Sequence, residues 1–225
     1  MSGNGARFER LVRGLMSQSA AAALATKGSA IFKGEPSGSP FLFVGNTMKT
    51  VLETPRLILR EIDPIADFEP WAECFSDKET MRGLGGGPGM SRAQAWRHMA
   101  TVIGHQSIHG FSFYSVIEKA SGKWVGRVGH WNPEGWPEPE VGWTIYKPFW
   151  LKGYATEAGR ACRDDAFERL GWPRVVHTIA MDNAASIKTA EAIGSKLLYT
   201  VDKIPAISDD PHFVYGQDNP NRSAT

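Results

Sequence analysis

Between Leu52 and Gln217 the apolar positions fall into short runs of two periods. Leu57 and Leu59 alternate with Arg56, Ile58 and Arg60, and this period of two predicts a first strand over residues 52–62. Residues 63–76 predict a helix, with Asp63 as N-cap and Pro64 at its first position. A second helix is expected over 91–109, where Ser91 and Gln94 have capping-box spacing. Residues 111–118 and 124–131 predict two strands joined by the turn Ala120-Ser121-Gly122-Lys123. A loop punctuated by prolines (133–139) leads into a strand over 141–146. The run 156–170 reads as a helix with Ala158, Gly159, Cys162, Ala166 and Leu170 on one face, continuing from Ala155. Small residues there let a helix lie close on a sheet. A strand at 174–180, a short helix at 184–193 ended by Gly194, and a hairpin of 196–204 with 212–217 complete the chain. The order β-α-α-β-β-β-α-β-α-β-β predicts a mixed α/β domain without internal repeat.

Residues 1–47 break the pattern. They are rich in Ala, Ser and Gly, with five basic and two acidic residues. Such a segment fits an organelle transit leader or an upstream start ahead of Met48. The second is the expectation, because the domain pattern begins directly after Met48. We therefore assign 1–47 to an extension and 48–225 to the folded domain. Residues 83–89 are too glycine-rich for a regular element and read as an acceptor-side loop.

Composition excludes several classes. A formal net charge of +1 gives no electrostatic footprint for nucleic acid. No run of eighteen apolar residues is present, so no membrane span is expected. Cys74 and Cys162 lie in helix-like segments and read as buried thiols in a reducing, cytoplasmic compartment. His98, His105 and His109 share a helix face, but no carboxylate or cysteine ligand stands beside them, and no metal is expected.

The segment from Pro148 to Glu157 carries the chemistry. It links a strand to a helix, and Gly153 permits a positive φ or close approach of a ligand. The first turn of a helix offers unpaired N–H groups and partial positive charge, which suit a phosphate. No Gly-Lys-Ser/Thr follows and the G-x-G-x-x-G spacing is missing, so neither nucleotide fingerprint applies.

Three motifs resemble those of the GNAT acyltransferase superfamily, and more narrowly its RimJ/RimL-like branch of ribosomal-protein N-terminal acetyltransferases. They are Thr54-Pro55-Arg56-Leu57-Ile58-Leu59-Arg60; Glu140-Val141-Gly142-Trp143 with Gly153-Tyr154-Ala155-Thr156-Glu157; and Asn183-x-x-Ser186 followed by Glu191 and Gly194. The resemblance covers residues 52–217. It implies a central, mixed, mostly antiparallel sheet flanked by helices, and acetyl transfer from acetyl-CoA to a primary amine within a ternary complex. The acceptor would be a protein N-terminus, an amino acid or a small amine, and the protein a monomer or homodimer. It further implies a pyrophosphate loop at Leu151, Lys152, Gly153, Tyr154, Ala155 and Thr156, and main-chain donors at Trp143 and Ile145. There are departures. Trp150 takes a place usual for Arg or Gln, and Leu151 one usual for glycine. Ala190 stands in the slot of a tyrosine acid, and Ser195 replaces an aromatic residue. A catalytically silent acyl-CoA-binding module and a small-molecule resistance or detoxification enzyme are the competing expectations.

Such a reaction sets three tasks. An α-amine of pKa ~7.7–8.0 loses its proton easily near neutrality, whereas a lysine amine at ~10.4 needs a strong base. Glu140 is the candidate base, directly or through water, with His130 as runner-up. A main-chain N–H near Trp143 and Ile145 would hold the oxyanion. Ser186 would protonate the leaving thiolate, and the Asn183 amide suits the pantetheine arm. Glu134, Glu138 and Glu140 would suit a polycationic amine, and Trp131, Trp136 and Trp143 are candidates for the acceptor slot.

Overall fold

The computed structural model describes residues 51–84, 88–205 and 208–222; the extension 1–47 lies outside them, as does part of the 83–89 loop. Eight strands are found among the described residues: β1 (Val51–Glu53), β2 (Leu57–Arg60), β3 (Phe113–Glu118), β4 (Trp124–Trp131), β5 (Glu140–Ile145), β6 (Arg174–Ala180), β7 (Lys196–Val201) and β8 (His212–Asp218). They form one sheet in the order β1-β2-β3-β4-β5-β6-β8-β7. Five helices among the described residues accompany them: α1 (Phe68–Ser76), α2 (Lys78–Arg82), α3 (Arg92–His109), α4 (Tyr154–Glu168) and α5 (Ala184–Ala192). A 3₁₀ turn, Lys147–Phe149, leaves β5.

Alternation along the strands separates two cores. Tyr114, Val116, Val128 and Val141 pack under α4 with Ala158, Cys162 and Ala166. Phe113 and Trp124 face the other way, onto Trp71, Phe75, Met99 and Val102 of α1 and α3. The small face of α4 is buried as its spacing predicts, and both cysteines are buried free thiols. The Ser91–Gln94 capping box is present, and Gly110 ends α3 in the left-handed region. No helix among the described residues is long and apolar enough to cross a membrane.

The sequence expectation fails in three places. Residues 52–62 are not one strand: β1 and β2 form an antiparallel hairpin folded at Thr54-Pro55-Arg56. Residues 63–76 are not one helix. Asp63 caps a turn by accepting from the Ile65 and Ala66 N–H groups, and α1 begins after Asp67. The Asp67 carboxylate caps no helix N–H of its own; it is held by Arg60 and Ser115 across the sheet face. Finally, α2 was unforeseen. Asp77 caps it, accepting from Thr80 N–H at 2.7 Å.

β5 and β6 run parallel, but only Glu140 and Val176 pair in register. Beyond that pair the strands part. The His177 ring sits at the vertex, fully buried, with Nδ1–H donating to the Val141 carbonyl at 2.6 Å. Its Nε2 then accepts from the Ser195 hydroxyl at 2.9 Å, and Gln217 donates to the same hydroxyl. Ser195, in place of an aromatic residue, thus completes the wedge.

Burial lowers His130 and His177 to about 4 each. Both are neutral in the folded protein, while the unfolded chain takes up protons below its ordinary value of about 6.5. Their contribution is therefore whole above pH ~6.5 and falls as the pH drops toward 4. Denaturant midpoints at pH 7 and pH 5 are expected to differ, with a slope of up to about 1.4 kcal/mol per pH unit for each histidine. His177→Asn, which keeps a donor toward Val141, is expected to flatten part of that slope.

Candidate active site

The turn into α4 is built by three residues with unusual backbones or partners. Gly153, the N-cap, has φ 78° and no side chain with which to cap the helix. The N–H groups of the first turn, Tyr154 to Thr156, are therefore open to an external anion. Leu151 stands at φ 60° and is fully exposed. Trp150 turns back, its indole N–H donating to the Ile145 carbonyl at the end of β5.

A clasp from the opposite end of the chain holds this turn. Glu157, in the first turn of α4, accepts from the Thr54 hydroxyl at 2.5 Å, Arg56 N–H at 3.0 Å and Arg56 Nε at 2.6 Å. Burial alone would raise its pKa, but these donors hold it below the usual carboxylate range. Arg56 also donates to the Lys152 carbonyl at 2.9 Å and lies over the Tyr154 ring. Tyr154 donates to Glu118, and Lys152 Nζ lies 3.6 Å from the same carboxylate. The exposed cations Arg56 and Lys152 add positive charge beside the helix N-terminus. This donor set fits a pyrophosphate.

The parting of β5 and β6 supplies the next component. Tyr146 N–H bonds Val125, so even-numbered residues of β5 pair with β4. Main-chain groups of Val141, Trp143 and Ile145 consequently point toward β6. His177 takes the Val141 carbonyl and Trp150 the Ile145 carbonyl. The N–H groups of Trp143 and Ile145 face the gap. Trp143 reaches across it, its indole N–H donating to Ser186 Oγ at 3.3 Å. Asn183 caps α5 through Ser186 N–H and donates its amide to the Gly83 carbonyl at 2.7 Å, so both its ends are engaged within the chain. Ala190 is buried in a small core with Ile179 of β6 and Tyr215 of β8, and itself offers no acid.

Glu140 lies at the one parallel pair, buried. Its Oε2 accepts from Trp136 Nε1 at 2.8 Å and from Thr178 N–H at 3.1 Å. Burial raises its pKa, the strongest influence, and the two donors and the Arg127 charge only moderate this. A Cβ at Gly142 would stand 2.9 Å from Glu140 Oε1, so glycine leaves room for the carboxylate to lean along the strand. His130 does not join Glu140. It projects from the other face and bonds the Cys162 carbonyl of α4 at 2.9 Å, a structural role. Glu138 is bound by the Tyr199 hydroxyl, and Glu134 makes no ion pair among the described residues. Of the candidate tryptophans, Trp136 touches Glu140 and Trp143 touches Ser186, while Trp131 stacks on His105. Of the three histidines of α3, His105 and His109 stack at 4.4 Å while His98 packs on Trp71 and Phe75, and no group of three metal-ligating side chains occurs among the described residues.

Three features around the candidate site were not anticipated: the His177 wedge, the Glu157 clasp and Arg127, a buried charge in β4. For Arg127 a signal existed, a lone cation amid the apolar run Trp124–Trp131.

A side chain in the left-handed region costs about 1–2 kcal/mol. Leu151→Gly is therefore expected to leave thermal stability unchanged or raise it by up to about 1 kcal/mol, allowing for the unfolded-chain entropy of glycine. Leu151→Val, β-branched, is expected to lower it by more than 1 kcal/mol. Calorimetry on the two variants checks the order.

Residues 56–196 match the family model described as acetyltransferase (GNAT) domain. The chain is 30% identical over 141 residues to the uncharacterised N-acetyltransferase YoaA of Bacillus subtilis, covering 62% of this chain and 78% of YoaA. The crystal structure of an acetyltransferase from Agrobacterium tumefaciens superposes with TM-score 0.64 at 26% identity, over 85% of this chain and 99% of that one. The ribosomal-protein-S5-alanine acetyltransferase of Vibrio fischeri shares the fold, with TM-score 0.61 at 16% identity over 77% and 99% of the two chains. A mostly antiparallel sheet opened at one parallel pair, a donor-lined helix N-terminus at the end of the opening and a family match across both place this chain in the GNAT acetyltransferase family, as an enzyme whose family implies acetyl-CoA as co-substrate.

Proposed function

We propose that this enzyme acetylates the α-amine of a protein N-terminus, an amino acid or a small amine, by direct attack in a ternary complex, and that it is of the RimJ/RimL type. The observation that carries the reading is Glu140, a buried carboxylate with raised pKa at the vertex of the strand opening. Its proton affinity is thereby brought closer to that of an α-amine, which needs only modest help to lose its proton. The first-strand motif supports the branch, as does a fold neighbour named for alanine acetylation on a ribosomal protein.

The residues divide the work as follows. Main-chain N–H groups 154–156, with Arg56 and Lys152, hold the pyrophosphate of acetyl-CoA, which supplies the activated acyl group. Trp143 and Ile145 N–H groups donate to the negative charge developing on the acyl oxygen. Glu140 receives the amine proton, directly or through a water, as the new C–N bond forms. Ser186 Oγ accepts from the Trp143 indole, which leaves its own proton free for the departing sulfur as the C–S bond breaks. Asn183 sets the start of α5 and ties it to Gly83, positioning Ser186.

Acetyl-CoA at ~100 times its Kd is expected to stabilise the protein by about 2.7 kcal/mol, a rise in Tm of roughly 5–10 °C. Gly153→Val should reduce that rise, by crowding the anion and straining φ. Glu140→Gln should lower kcat at least about 100-fold with the rise intact. Ser186→Ala should lower kcat more than it raises KM for acetyl-CoA. Equal loss in both constants would remove Ser186 from the acid role.

A further inference from the structure

Arg127 projects from the centre of β4 onto the α1–α3 face, the same face as Glu140, and is only 8% exposed. Its guanidinium lies 3.8 Å from the Phe113 ring centroid, with Phe75 and Trp71 at 5.3 and 5.7 Å. Two buried carboxylates among the described residues have close ion partners: Asp67 holds Arg60 and Asp165 holds Arg169, each at 2.6 Å. Arg127 makes no such ion pair among the described residues, and its Nε–H has no hydrogen-bond partner. Burial lowers its pKa to about 10, which still leaves it charged at neutral pH. Withdrawing a guanidinium from water is costly, and aromatic rings offset only part of that cost.

The surroundings repeat the pattern. Thr144, paired with Arg127 across β4 and β5, has a buried hydroxyl without a partner, as has Thr178. Nε1 of Trp71, whose ring is one of the three around the guanidinium, is a third. Arg and Trp can only donate, and the threonines can donate. A cluster of this kind on one face is complementary to an acceptor-rich anion. Glu140 is close by: its Oε1 and the Phe113 ring stand 2.9 and 3.1 Å from the point a Gly142 Cβ would occupy. One aromatic ring therefore lies between a carboxylate and a guanidinium.

We propose that Arg127 is a specificity residue that binds a carboxylate carried by the acceptor amine, so that the substrate is zwitterionic, its amine directed to Glu140 and its carboxylate to Arg127. This rests on the acetyl-transfer reading above and narrows its acceptor class. The carboxylate has two sources: the α-carboxylate of a free amino acid, or an acidic side chain beside a peptide N-terminus.

Full-length protein with saturating acetyl-CoA would be assayed by thiol release on matched pairs: L-methionine against L-methioninamide, and Ala-Asp-amide against Ala-Asn-amide, with spermidine as a cationic probe. A carboxylate partner of a buried guanidinium is expected to raise kcat/KM at least about tenfold. Preference within the first pair assigns the α-carboxylate, and within the second the side chain; either supports the proposal. Arg127→Gln should shrink the ratio at least tenfold while the acetyl-CoA-induced rise in Tm persists, and Arg127→Lys should restore part of it. Turnover of the neutral amides or spermidine without preference for a carboxylate would overturn the role of Arg127 and leave the acetyltransferase reading standing. A rise in Tm with no turnover of any of the five amines would overturn both. If Arg127→Gln does not fold, the wild-type ratios decide alone.

Discussion

The rest of the structure depends on the separation of β5 from β6. Two parallel strands would ordinarily zip along their length, since every unpaired main-chain group that is buried is costly. Here a single residue pair is retained, and a buried, neutral imidazole takes over where the ladder stops. His177 satisfies the Val141 carbonyl and is itself fixed by Ser195, which Gln217 holds from β8. The opening is thus anchored by hydrogen bonds from three strand regions and does not rely on flexibility. Its consequences are chemical: the N–H groups of Trp143 and Ile145 are freed, Ser186 is bridged to Trp143, and Glu140 stands at the vertex.

The far end of the opening is secured differently. A helix N-terminus is useful to an anion only if its position is fixed, and the α4 turn includes a leucine in a glycine-like conformation. The compensating element is the Glu157 clasp, which draws Thr54 and Arg56 onto the first turn. The same clasp explains why residues 54–56 leave the strand: their polar groups are committed to α4. Strain in the loop and the hairpin fold in the first strands are two sides of one arrangement.

Charge placement distinguishes scaffold from site. Arg60–Asp67 and Arg169–Asp165 are close pairs, in which each ion compensates the burial of the other. Glu140 and Arg127 are buried on the face toward α1 and α3 without a direct ion pair among the described residues. Departures from local satisfaction of this kind are expected where function, and not folding alone, sets the residue.

Features set by residues within four positions of each other were legible in the sequence: the capping box of α3, the small face of α4, the β3–β4 turn and the left-handed Gly153 and Gly194. Each depends on local backbone geometry and on a period that survives without knowledge of the neighbours. Glu140, Ser186 and Gly153 were singled out by motif, and the structure sets them at the β5–β6 pair, in the first turn of α5 and at the N-cap of α4. What only the tertiary structure decided involves partners far apart in the chain. Thr54 and Glu157 are separated by 103 positions, Asn183 and Gly83 by 100, and Asp67 and Ser115 by 48. Nothing near Asp67 in the chain records that Arg60 and Ser115 hold it, and nothing near Asn183 records that its amide meets the Gly83 carbonyl. Likewise, a period of two cannot reveal that Pro55 folds the strand back, nor which face Arg127 and His130 occupy. Those choices follow from strand order and register, which bring polar groups together through space, where no local pattern in the chain records them.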